Sequence, residues 1–137
     1  MKENIMRSVK IMVLDGLLQR GADIALMLTQ YGHDIRLFSR GLNGFQYCIK
    51  EEWYPDLFIV NGYLSDMTGL EFISRLGLNA RKSVICILPN LPAYENSFTE
   101  NPLEVYEIVK EGVSQVDLAT IVCDYILQLD EMKELAS

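Results

Sequence analysis

Pro55-Asp56-Leu57-Phe58-Ile59-Val60-Asn61-Gly62-Tyr63-Leu64-Ser65-Asp66-Met67-Thr68-Gly69-Leu70-Glu71-Phe72-Ile73 is the stretch whose reading decides the fold. Four apolar residues in a row, Leu57 to Val60, suit a strand buried on both faces, and Asn61-Gly62 ends it in a turn. From Thr68 to Leu76 the apolar positions Leu70, Ile73 and Leu76 recur at helical spacing, so a helix with one inner face follows. Pro55 stops the helix that precedes the strand.

The same strand-then-helix unit recurs on either side. Upstream, Val9 to Leu14 is an apolar run ending at Asp15-Gly16. Leu17 to Tyr31 then reads as a helix, with Leu18, Ala22, Ala25 and Leu28 at helical spacing and Gly32 as its C-terminal cap. His33 to Phe38 alternates as a short strand, and Gly44 to Glu51 forms a weaker helix. Downstream, Val84 to Leu88 is a fourth strand. Prolines and asparagines between Pro89 and Pro102 break the helix expected there, leaving a short or distorted one. Val105 to Val109 supplies a fifth strand, and Ser114 with Asp117 begins a final helix that runs to about Leu135.

Strict alternation of buried strands and amphipathic helices predicts an α/β fold: a five-stranded, doubly wound parallel sheet with helices on both faces. In such sheets the functional site forms beyond the carboxyl ends of the strands, which directs attention to Asp15, Asn61, Leu88 and Lys110. The 137 residues are enough for one domain with a substantial core, and the expectation is a single domain over 1–137, core about 9–129, with a helical extension over about 128–137.

With these elements in place, the sequence resembles the receiver domain of bacterial two-component response regulators, the CheY-like family, from about Val9 to about Leu129. The run KIMVLDG is similar to that family's first strand, which ends in an acidic pair. PDLFIVNGYLSDMTGLEFI is similar to its third strand, phosphoacceptor loop and following helix. Pro55-Asp56-Leu57, Leu64, Met67, Gly69-Leu70 and Glu71 carry the match. The resemblance implies the flavodoxin-like strand order 2-1-3-4-5 and a role in signal transduction.

It also implies that the phosphorylation pocket is degenerate. Asn61 falls on the phosphoacceptor aspartate, and its neutral amide has no anionic oxygen to attack phosphorus. Gly16 replaces the second residue of the acidic pair. Leu88 falls on the position of the switch hydroxyl, whose aromatic partner falls on Glu107, beside Tyr106. Lys110 falls on the family's lysine after the fifth strand. A pocket with Asp15 as its one carboxylate facing Lys110 should bind magnesium very weakly or not at all, and no other cofactor is expected. Asp15 and Lys110 are expected to pair, with Asn61 hydrogen-bonded to them. An engineered aspartate-to-asparagine change would account for Asn61 but not for Gly16 or Leu88.

The expected function is therefore that of an atypical receiver: not an enzyme, but a phosphorylation-independent module for protein–protein interaction or dimerisation. Its partner, another protein or a second copy, would use the face built from the fourth helical segment, the fifth strand and the fifth helix. Tyr94, Phe98, Tyr106, Tyr125 and Leu129 are the candidate contacts there. Two alternatives are a phosphorylatable receiver using another carboxylate, such as a solvated Asp66, and a flavodoxin-like small-molecule binder. The second lacks a Gly-rich phosphate loop after the first strand.

Composition narrows the classes further. The net charge is −7, and the twelve Lys and Arg are scattered, so no direct nucleic-acid contact is expected. No apolar run spans a bilayer and the start lacks a signal-peptide stretch, so no membrane association and a cytoplasmic location are expected. Cys48, Cys86 and Cys123 stand apart and read as buried free thiols. The one histidine, His33, reads as a surface-turn residue. Leu118, Val122, Tyr125, Leu129 and Met132 form a heptad-like stripe whose first half belongs in the core.

Overall fold

The structure, a computed structural model, describes residues 7–90 and 104–136. In chain order it contains β1 (Lys10–Leu14), α1 (Leu18–Gln30), β2 (Asp34–Phe38), α2 (Gly41–Glu51), β3 (Leu57–Asn61), α3 (Gly69–Ser74), the single turn α4 (Leu78–Arg81), β4 (Val84–Leu88), β5 (Glu107–Lys110) and α5 (Gln115–Ala136). All strand pairs are parallel, and the sheet order is β2-β1-β3-β4-β5. This is the doubly wound, flavodoxin-like order expected from the sequence.

The strands' composition explains their places. β3 and β4 are buried along their whole length, as is β1 beyond Lys10, and these continuous apolar runs occupy the sheet interior. β2 and β5, with charged residues interleaved, take the two edges. Alternate side chains from each strand then feed two cores. One packs Ile11, Val13, Ile59 and Ile85 beneath α1 and α5; the other packs Met12, Leu14, Phe58 and Cys86 beneath α2 and α3.

Several elements differ in detail from the sequence reading. The buried side of α1 is Gly21, Ile24, Met27 and Leu28. Of the apolar series expected at helical spacing, Leu28 is inside, whereas Leu18 is 65% exposed. β5 begins two residues later than expected, at Glu107, and α2 begins earlier, at Gly41. α3 ends at Ser74, short of the expected Leu76; it buries Phe72 completely beside the anticipated Ile73, and Leu76 is buried just beyond its end. Ser114 does cap α5, its Oγ accepting the Asp117 N–H at 3.0 Å. Along α5 the stripe Leu118, Val122 and Tyr125 is buried, Leu129 is half-buried, and Met132 is exposed.

His33 is not a surface residue. It is 7% exposed, and its Nδ1 accepts the Val9 N–H at 3.3 Å, joining the end of α1 to the start of β1. Burial pushes its imidazole below the ordinary 6.5. Of the cysteines, Cys86 is buried, with its thiol pushed up to about 12, while Cys48 and Cys123 are half-buried, and all three are free. No helix among the described residues is long and apolar enough to cross a membrane.

Candidate functional site

The carboxyl ends of β1, β3 and β4 bring Asp15, Asn61 and Leu88 to one edge of the sheet, and β5 ends level with them, Leu88 in register with Lys110. Asp15 and Asn61 are almost fully buried. Their contacts define the site.

Asp15 accepts four hydrogen bonds. The Leu17 N–H donates to Oδ1 at 2.9 Å, so Asp15 caps α1, which has no cap from Leu17 itself. The Arg20 guanidinium approaches side-on, Nε to Oδ2 at 2.7 Å and Nη2 to Oδ1 at 2.9 Å, and Asn61 Nδ2 donates to Oδ2 at 3.2 Å. A carboxylate offers about four lone-pair sites, so this one is saturated. The remaining Asn61 amide oxygen accepts the Gly62 N–H at 2.9 Å.

Arg20 is the residue the sequence reading passed over. It lies in the first turn of α1, where it reaches back to Asp15, and its Nη1 donates to Glu111 Oε2 at 3.1 Å. Glu111 in turn accepts the backbone N–H of Asn90 at 3.2 Å. A chain of contacts, Asn61–Asp15–Arg20–Glu111–Asn90, thus ties together β3, β1, α1, the β5–α5 turn and the exit of β4. The hydrogen bonds it donates to Asp15 hold the guanidinium above its ordinary value, against the opposing effect of burial, with Glu111 adding to the rise. Arg20 of α1 thus gives Asp15 a cationic partner that the expectation, which named Lys110, did not include. Lys110 itself ends β5 with an exposed side chain.

Gly16 is more than an absent carboxylate. Its N–H donates to the Tyr63 carbonyl at 2.9 Å, and a Cβ built on it would lie 2.7 Å from that same oxygen. The loop after β3 thus rests directly on the loop after β1, and only glycine permits the approach. Gly69 is equally constrained, since a Cβ there would come within 2.2 Å of the Asn61 carbonyl oxygen. Leu88 points into the apolar core shared with α2 and α3.

Magnesium, which the receiver resemblance implies, does not fit this donor set. It takes hard, mostly anionic oxygens. Here Asp15 is saturated, Asn61 presents an amide, and position 16 has no side chain and no room for one.

Asp66, expected to be solvated, is instead a helix cap. Its Oδ1 accepts the Gly41 N–H at 2.7 Å and its Oδ2 the Leu42 N–H at 3.1 Å, anchoring the loop after β3 to the start of α2. Burial pulls its carboxyl upward, but the Leu42 and Gly41 amides outweigh it and hold the carboxyl below its ordinary value.

Of the expected interaction face, Tyr125 is buried. Its hydroxyl donates to the Asp56 carbonyl at 2.6 Å, lies 2.9 Å from Ser83 Oγ, and its ring meets Tyr106 edge-on at 5.0 Å. It is a core residue because both ends of its side chain find partners inside. Tyr106 and Leu129 are half-buried and border a groove with Val105, Gln128 and Met132. Tyr94 and Phe98 lie outside the described residues.

No protein-family model and no curated protein matches the sequence. Solved structures do. A signal receiver domain from Vibrio parahaemolyticus superposes with a TM-score of 0.74 at 15% identity, over 96% of this chain and 98% of its own. A response regulator receiver domain protein from Clostridium thermocellum gives 0.75 at 16% identity, over 90% and 98%. A CheY-like response regulator receiver domain protein from Methanospirillum hungatei gives 0.74 at 15%, over 92% and 99%. The chain has the fold of these receiver domains.

Proposed function

We propose that the chain, as one receiver-type domain spanning residues 1–137, is a phosphorylation-independent signalling module that binds protein partners and carries out no catalysis. The saturated carboxylate of Asp15 is the observation that supports this most directly. Phosphoryl transfer to a side chain needs an anionic nucleophile and a cation free to follow the developing charge. Asn61 supplies no anion, and the cation at hand, Arg20, is fixed between Asp15 and Glu111. The pocket of a phosphorylated receiver is a moving part; here the same position is a brace.

A brace of this kind favours a module held in one arrangement, with output through a surface instead of a reaction. The groove beside β5 and α5, bordered by half-buried Tyr106 and Leu129 with Ile108 exposed nearby, suits a protein partner because it joins aromatic and aliphatic area to a polar rim. Magnesium is not part of this reading, and neither is Asp66, whose carboxylate is committed to α2.

The test is incubation with acetyl phosphate, and separately with beryllofluoride, in the presence of magnesium. Intact mass reports any phosphoryl adduct and amide NMR shifts report pocket binding. The expected result is an unchanged mass and unchanged shifts at Asp15, Asn61 and Lys110. An adduct mapping to any carboxylate would overturn the proposal.

A further inference from the structure

The solvent side of α1 carries an apolar stripe that no other described residue covers. Leu18 is 65% exposed and Leu26 60% exposed, and Ala22, also exposed, lies midway between them. Positions four apart lie on one side of a helix, so these three form a continuous line. We infer that α1 is a self-association surface on which a second copy of the chain docks, the two α1 helices packing antiparallel about a two-fold axis at Ala22.

Three features favour a second copy over another occupant. First, the stripe is symmetric about Ala22. In an antiparallel pair centred there, Leu18 of each copy meets Leu26 of the other, which is the self-complementarity a two-fold contact requires. Second, the residue on the axis is small, so the backbones can approach while the leucines interdigitate to either side. Third, each copy carries a net charge of −7 and must meet another where repulsion is least. Asp23 is the single charged residue among the exposed positions of α1, whereas the exposed positions of α5 include Asp117, Asp124 and Glu131. The inference stands whatever the Asp15 pocket does, because the stripe lies on the opposite side of the helix from its buried residues Ile24 and Leu28.

One helix pair covers less than the roughly 800 Å² per partner of a standard stable interface, so the expected dimer is weak and concentration-dependent. Higher salt should strengthen it by screening the net charge. Sedimentation velocity over a wide concentration range tests this with the parent chain and the Ala22→Glu variant, circular dichroism confirming that the variant is folded. The parent should move from monomer to dimer and Ala22→Glu should stay monomeric. In a Cys48→Ser, Cys123→Ser background, oxidation should cross-link Ala22→Cys as a single change. Leu18→Cys should cross-link only when Leu26→Cys is also present. A parent that stays monomeric throughout would overturn the proposal. So would a dimer that tolerates Ala22→Glu but is broken by Leu129→Glu, which would place the contact beside β5 and α5.

Discussion

Arg20 occupies the first turn of α1, where a cation opposes the helix dipole, and Asp15 and Glu111 supply the compensation. Removing it should expose how much the site depends on that cation. Arg20→Met leaves a buried carboxylate short of two charge-assisted hydrogen bonds, and should lower the unfolding free energy in urea by about 2 kcal/mol, the partial exposure of Arg20 moderating the loss. Adding Asp15→Asn should restore part of it, because the two changes remove one interaction. A basic residue in a first helical turn five positions after an acidic strand end was a visible clue to this pair. Its strength was not visible, because Glu111 comes from the far end of the sequence. His33 shows the same limit. A polar residue after a helix-ending glycine reads as surface, and its burial is set by Val9, twenty-four residues away. Its pH effect follows from the sign of its shift. Above 6.5 the imidazole is neutral in both states and stability is full. As pH falls below that value the unfolded chain takes a proton that the folded chain resists, so stability declines until the folded value is passed. Urea midpoints between pH 7 and 5 should therefore fall more steeply for the parent than for His33→Gln.

Among the elements, the strands were the most legible, because unbroken apolar runs such as Leu57 to Val60 and Val84 to Leu88 fit only the sheet interior. Helix faces were less so. α1 has apolar residues on more than one side, so spacing alone singled out Leu18 and Ala22 where packing selects Gly21 and Ile24. The start of α2 was misplaced for a related reason: its capping groups come from elsewhere in the chain. The first amides of α2 are satisfied by Asp66, across the loop after β3. Asp66→Ala should lower stability by about 1 kcal/mol, as loss of a helix cap does, and speed hydrogen exchange at the first turn of α2. An unchanged midpoint and unchanged exchange would show that the two hydrogen bonds contribute nothing.

At the scale of the whole molecule, alternation of strand and helix carried the parallel, doubly wound architecture, and the sheet order was what the receiver resemblance implied. The places of the strand ends were legible, but not the contacts that join them. Asp15, Asn61, Leu88 and Lys110 do come to one edge of the sheet, but what joins the edge together, from Asn61 to Asn90, passes through two residues chosen by the three-dimensional arrangement. An aspartate placed at Gly16 meets the Tyr63 carbonyl before it meets any ion. Position 16 is thus closed by the backbone of the neighbouring loop, and any side chain added there has to move that loop first.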